Sequence, residues 1–307
     1  MAQSRFIRDS GLTARMTLVM FLLGALFVGF IITLMFVADG AGYGGAAPLI
    51  GLVGLGIAFY QWWNSDRVAM RAMRAREVTP EEAPELHGMI DRLCALADMP
   101  KPRVGVAEMD LPNAFATGRS PQRAVVCVTT GLMRTLDAEE LEAVLAHELS
   151  HVAHRDVLVM TVASSAGIVA GMLTRSAQYG GFGLGRGRNQ GALPVYLITL
   201  LVSLAVYAVS FVLTRMLSRY RELCADRSAA YLTMKPAALG TALQKISGEI
   251  AAIPQKDLRS SAAMNAFFIA PAISGISLKS ITSTHPSLEQ RLEQLARIQA
   301  ELGRPTE

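Results

Sequence analysis

The sequence predicts a mainly helical α+β fold held in a membrane by about four apolar segments. Three observations predict it. Hydrophobic residues make up 51% of the 307, the mean hydropathy is +0.34, and the excess collects in a few long runs. The stretch from 64 to 156 lacks such a run and mixes helical periodicity with two short Val-rich segments. Arginines crowd the outer ends of the first two runs and are missing from the turn between them.

Residues 1–15 form a polar tail with Arg5, Arg8 and Arg15, expected to be cytoplasmic. Residues 16–37 are an uninterrupted apolar run of spanning length. The Gly-rich connection 38–45 carries Asp39 and no Lys or Arg, and the second run, from about 46 to 63, ends in Trp62 and Trp63 as an interfacial aromatic belt does. Arg67, Arg71, Arg74 and Arg76 follow at once. By the positive-inside rule, 16–63 is a transmembrane hairpin whose two outer ends face the cytoplasm. A buried hydrophobic hairpin in a soluble domain is the alternative. The first run is too long for a signal-peptide core and no small-residue cleavage site precedes a soluble domain.

Residues 64–156 read as a soluble α/β unit, the first part of a catalytic domain. Residues 81–96 have helical periodicity, 103–107 and 124–130 read as strands, and 111–118 as a loop or irregular edge. A third apolar run, 157–174, carries Gly167 and Gly171 at a spacing that permits close helix packing. The connector 175–191 is rich in Gly and Arg. It lacks the Gly-Lys-Ser/Thr ending and preceding strand of a phosphate loop, so it reads as a flexible link. A fourth run, 192–214, is followed by Arg215, Arg219 and Arg221; residues 215–307, ending in an amphipathic helix from about 287 to 302, complete the catalytic domain. Cys94, Cys127 and Cys224 make no even framework and no CxxC, which suggests a reducing compartment. The net charge of +4 has no basic tract interleaved with aromatics, so nucleic acid is not expected as a partner.

The chemistry centres on His147-Glu148-Leu149-Ser150-His151, a His-Glu-x-x-His pattern. Residues four apart share a helix face, so His147 and His151 can offer imidazole nitrogens to one zinc ion. Glu148 then lies beside the fourth coordination position, the place for a general base. Asp137 and Glu140 have capping-box spacing, and Leu141, Val144, Leu145, Leu149 and Val152 recur as an apolar face, which supports a helix. The domain is therefore expected to be zincin-like. A surface helix with two incidental histidines is the alternative, and five His in the whole chain make that coincidence rare.

Two residues compete as third ligand. His154 shares the face, but seven helical residues from His147 span about 10 Å, too far for one ion. Glu222 is the better candidate, with Asp226 four residues on and so on the same face, where it can accept the ring N–H of a ligating His; a solvated acidic face is the alternative. Cys224 projects about 200° away from Glu222 and reads as packing.

The His147–His151 helix continuing as His154-Arg155-Asp156, the segment Ser218-Arg219-Tyr220-Arg221-Glu222-Leu223-Cys224-Ala225-Asp226, the stretch Pro112-Asn113-Ala114-Phe115-Ala116-Thr117-Gly118 and the late Ser283-Thr284-His285-Pro286 through Leu292 resemble the HtpX-type heat-shock membrane zinc metallopeptidases over nearly the whole chain. The resemblance implies His147, His151 and Glu222 as ligands of one zinc, Glu148 as catalytic base and Asp226 as support for a ligand. It also implies endoproteolysis of misfolded or damaged membrane proteins in protein quality control. More distant relatives include the CAAX-prenyl proteases, whose substrates are lipidated. The chain departs from the family in its longer connector at 175–191.

If His147 and Glu222 bind one ion, the segment between them crosses the membrane twice or not at all; a double crossing is expected, with a partly embedded hairpin as the alternative. His151 lies about 9 Å of helix before the third run and Glu222 about 12 Å after the fourth, so the centre is expected near the cytoplasmic face of the inner (plasma) membrane. His285, with Arg291 beside it, is the candidate donor to the developing oxyanion; a His-Pro turn capping the last helix, with Arg291 solvated, is the alternative. The edge near 124–130, with Asn113 and Ala114, is expected to take protein or peptide substrates by strand addition, unless these residues are ordinary sheet and turn. Two other functions compete: a processing protease for one membrane or lipidated substrate, and a scaffold with structural zinc. Glu148 argues against the scaffold, since a closed structural site needs no base. Nothing in the sequence fixes the oligomeric state.

Overall fold

The computed structural model describes residues 10–40, 52, 56, 59–60, 63–155, 192–252 and 285–303. The chain divides into two compact units, one of Met1–Leu12, Asn64–Leu158 and Ser218–Glu307, the other of Thr13–Trp63 and Val159–Leu217.

Helix α1 (Ser10–Gly40) lies mostly in the second unit. The first unit is built from α2 (Ser65–Ala72), β1 (Ala75–Glu77), α3 (Pro84–Ala97), β2 (Arg103–Ala107), β3 (Ala114–Thr117), β4 (Val125–Thr129), α4 (Thr130–Thr135), α5 (Ala138–Ala153), the part of α6 (Ala192–Thr233) from Ser218 on, α7 (Pro236–Ala252) and α8 (Leu288–Leu302). The sheet order is β1-β2-β4-β3, with β2 and β4 parallel and the outer pairs antiparallel. Every residue of β4 is buried. A strand covered on both faces has no polar side to alternate with, which is why Val125-Val126-Cys127-Val128 reads as a continuous apolar run.

Thr129 fastens the sheet to α4. Its hydroxyl accepts from Asn113 N (2.9 Å) and from Leu132 N (3.1 Å), capping α4, and donates to Leu111 O (2.8 Å). In α5 the capping box forms in full: Asp137 accepts from Glu140 N and Glu140 accepts from Asp137 N. The helix is then buried without a break from Ala143 to Val152. A helix hidden all round belongs to a core. Lys245 of α7 reaches the buried Glu140 at 2.6 Å, and Leu239, Leu243 and Ile246 close the core from that side.

Two short strands escape the sequence pattern. The stretch 111–118, expected as a loop or irregular edge, contains the edge strand β3, paired with β4 through Ala114↔Val128 to Thr117↔Val125. So short a strand, between Pro112-Asn113 and Gly118, offers no period to read. β1, the triplet Ala-Arg-Glu, is likewise invisible to pattern; it pairs Arg76 with Val106 at the sheet edge.

The second unit contains most of α1 and the first part of α6. Among the described residues these are the two helices long and apolar enough to cross a membrane. They touch through Phe30 and Val206, with Leu26 and Val202 packed around them. Their other faces present large apolar side chains outward, Phe21 at 71% and Phe36 at 75% exposure in α1 and Leu201 at 64% in α6. In water that arrangement is unfavourable; in lipid it is what a span requires. Most of the expected second run, all of the third from 157 to 174, and the connector 175–191 lie outside the described residues.

Gly131, inside α4, marks a close approach of backbone to backbone. A Cβ there would lie 2.0 Å from the Asp110 carbonyl oxygen, while one at Gly248 of α7 meets nothing within 4 Å. Gly131→Ala is therefore expected to lower unfolding stability by roughly 1–3 kcal/mol. Gly248→Ala should be neutral or stabilising by up to about 1 kcal/mol. Thermal unfolding of the two variants beside wild type checks this; equal stability of all three contradicts the close approach.

Candidate metal centre

Three separate stretches of chain meet here. Helix α5 carries His147, Glu148 and His151; α6 carries Glu222 and Asp226; the segment that runs into α8 carries His285 and Arg291. All seven are buried, at 8% exposure or less.

His147, His151 and Glu222 each bring one ligand atom into a group whose members lie within 4.8 Å of one another. His147 Nε2 stands 3.5 Å from Glu222 Oε2, and His151 Nε2 stands 3.5 Å from Glu222 Oε1. Donors about 2.1 Å from a tetrahedral metal are about 3.4 Å apart, so the spacing suits coordination. His147 Nε2 is buried and faces the Glu222 carboxylate at 3.5 Å, long for a hydrogen bond and natural for two ligands of one ion. The residues fit a divalent metal ion.

Behind the donors, His147 Nδ1 is 2.8 Å from Asp226 Oδ1, and Arg291 grips Asp226 with both arms, Nε to Oδ2 at 2.7 Å and Nη2 to Oδ1 at 2.6 Å. His285 Nδ1 is 3.1 Å from Glu222 Oε2. The Glu148 carboxylate accepts the Ala116 backbone N–H. Asn113 exchanges both its main-chain groups with Thr129, so along β3 the main-chain groups of Ala114 and Ala116 turn to the opposite, outer edge. That edge has no strand partner among the described residues, whereas the edge expected near 124–130 is not free: β4 lies between β2 and β3 and is paired on both sides.

Electrostatics separates the three carboxylates. Burial raises the Glu148 pKa, and its histidine neighbours and the Ala116 N–H only partly offset this. Burial also acts on Glu222, but His285, His147 and His151 hold it well below the usual carboxylate range. For Asp226 burial is overcome by the Arg291 charge and its hydrogen bonds, together with His147, and the pKa falls. Burial alone would depress His147, yet Asp226 and Glu222 raise it to about 9. A metal must displace that proton to bind.

Of the residues singled out in the sequence, the structure gathers His147, Glu148, His151, Glu222, Asp226 and His285 at one place and sets Ala114 on the edge that reaches Glu148 through Ala116. His154 stays out of the cluster as the C-cap of α5, its Nδ1 on Ser150 O at 2.8 Å. The alternative that puts Arg291 on a solvated face is corrected: the residue is 2% exposed and bound to Asp226. Its partner lies 65 residues away in sequence, so no local signal pointed to it.

A buried His-His-Glu cluster on two helices, in a chain with membrane-length apolar helices, fits a membrane metalloprotease. The comparisons with known proteins agree: Peptidase family M48 matches residues 80–299, and the chain belongs to that family. It is 55% identical over 303 residues to Protease HtpX homolog 1 of Streptomyces coelicolor, covering 98% of this chain and 97% of that one. It is 50% identical over 294 residues to the Protease HtpX homolog of Moorella thermoacetica, covering 96% of each. In fold it is similar to the crystal structure of S. mikatae Ste24p, with a TM-score of 0.52 at 16% identity, over 94% of this chain and 66% of that one.

All three thiols are buried. Burial pushes Cys127 up to about 12, and burial with the nearby Asp91 pushes Cys94 up to about 11. Cys224 is buried at 6% exposure. At pH 8 a thiol of pKa 11 is only about 0.1% thiolate, the reactive form. Iodoacetamide at pH 8 should thus leave the folded protein unlabelled over a time that labels all three cysteines in denaturant, read by intact mass. Rapid labelling of the native chain would contradict the burial.

Proposed function

We propose that this chain is a membrane-bound zinc endopeptidase that cleaves misfolded or damaged membrane proteins in protein quality control. The observation that carries the catalytic part is the position of Glu148: buried next to the His147–His151–Glu222 cluster and hydrogen-bonded to β3, whose outer edge is open among the described residues.

In this reading His147, His151 and Glu222 hold one zinc. When bound, the metal acidifies a water and polarises the scissile carbonyl. Glu148, with its proton affinity raised by burial, takes the proton from the attacking water and delivers it to the leaving amine. His285, placed beside Glu222, is assigned as donor to the developing oxyanion. Asp226 keeps His147 in the tautomer with its Nε2 lone pair free. The substrate lies extended along the outer edge of β3 beside Asn113, with main-chain bonds to Ala114 and Ala116. Backbone recognition asks little of side-chain sequence, which suits damaged proteins of many kinds.

The topology follows from charge and hydropathy. Residues 1–15, the last six of which open α1, are assigned to the cytoplasmic side and 16–63 to a hairpin; 64–156 and 215–307 are assigned to the catalytic domain on the cytoplasmic face of the inner membrane, with 157–214 between them.

The test compares purified full-length wild type with Glu148→Gln and His285→Ala, recording zinc content and cleavage of an unfolded model substrate. Wild type should hold about one zinc and cut, and a chelator should stop cleavage until zinc is restored. Glu148→Gln should keep its metal and lose cleavage. His285→Ala should keep its metal and lose about 10²–10³-fold in kcat. Equal cleavage by wild type and Glu148→Gln sinks the base assignment; equal kcat of His285→Ala sinks the donor. A preparation that cuts one membrane substrate and no unfolded protein contradicts the quality-control role.

A further inference from the structure

We propose that Arg291 is a positioning residue of the metal centre. It fixes Asp226 in the rotation that turns His147 Nε2 to the His147–His151–Glu222 cluster, so that helix α8 forms part of the centre. This rests on the proposed role of His147 as a ligand.

The geometry leaves Asp226 no freedom. Its Oδ1 stands 2.8 Å from His147 Nδ1 and accepts from Arg291 Nη2 (2.6 Å), while Oδ2 accepts from Arg291 Nε (2.7 Å). A planar guanidinium meeting a carboxylate through two parallel bonds sets the plane of the carboxylate as well as its position. With that plane fixed, Oδ1 is presented to His147, whose ring can satisfy Nδ1–H only by turning Nε2 to the cluster. A lysine in place of Arg291 would supply a point charge without the fork.

Burial closes the alternatives: Asp226 and Arg291 are 0% and 2% exposed, so neither can turn to water for another partner.

Docking of α8 does not depend on this residue. Gln294 Nε2 donates to Leu223 O at 2.8 Å, on the turn of α6 between Glu222 and Asp226. Leu295 and Ile298 are in the core, and the Ser287–Gln290 capping box starts the helix. A variant at 291 therefore has a folded state to be measured in.

The experiment uses full-length protein in detergent, stripped of metal, with zinc alone as probe. Zinc affinity is read by competition with a chelator, and the fraction folded by thermal unfolding of the metal-free form. Arg291→Met should weaken zinc binding by about 10–100-fold in the folded molecules. Arg291→Lys should recover part of that loss. Adding Asp226→Asn to Arg291→Met should weaken binding little further, because the two residues act in series. Gln294→Ala, which loosens α8 without touching Asp226, should bind zinc within about twofold of wild type. Wild-type affinity in both Arg291 variants, or a loss matched by Gln294→Ala, overturns the proposal while leaving the protease reading intact. A wild type that binds no zinc overturns the ligand assignment first, and this proposal with it.

Discussion

One fully buried carboxylate, Asp226, joins three helices at a point sealed from solvent: α5 through His147, α6 through its own backbone, and α8 through Arg291. A charge in that position is tolerable only when it is paired and every lone pair is used. The pairing therefore acts as a constraint on the whole unit. In the packing that lets all three partners reach Asp226, the His147 and His151 rings stand edge to face at 4.9 Å with Glu222 before them.

The sheet meets the same centre from the other side. Thr129 ties the end of β4 to Asn113 and to α4, which sets the start of β3, and Ala116 in β3 donates to Glu148. Glu148, the proposed base, is thus tied to the edge proposed to hold the substrate, while the proposed metal donors are carried by the helices. Burial supplies a further separation. It raises Glu148, where proton affinity is useful, and is overcome at Glu222 and Asp226 by cationic neighbours, so that these two stay ionised. Three carboxylates in one buried site are given two kinds of work by their surroundings.

Much of this was legible in the sequence, for identifiable reasons. The α5 helix announced itself twice, through the Asp137–Glu140 box and through the His-Glu-x-x-His spacing, because both are local and periodic. The i,i+4 pair Glu222 and Asp226 was readable for the same reason. Strands β2 and β4 showed as Val-rich runs bounded by turns, since burial on both faces removes polar residues. What escaped was short or non-local. β1 and β3 have three and four residues, fewer than a period-two pattern needs, and are strands because β2 and β4 offer them edges. The Arg291–Asp226 pair joins positions 65 apart. A lone arginine on an amphipathic helix reads as solvated until the fold supplies its partner. Among the apolar runs, the first and fourth correspond to α1 and α6, whose outward faces carry phenylalanines and leucines where a soluble helix would carry charge.

The central claim is that one metal sits on His147, His151 and Glu222. X-ray absorption at the zinc edge of the purified full-length protein tests it most directly. Two imidazole nitrogens and carboxylate or water oxygens at about 2.0–2.2 Å, with the imidazole signal halved in His151→Ala, is the predicted result. A sulfur scatterer at about 2.3 Å, or a shell of oxygens without imidazole, would contradict it.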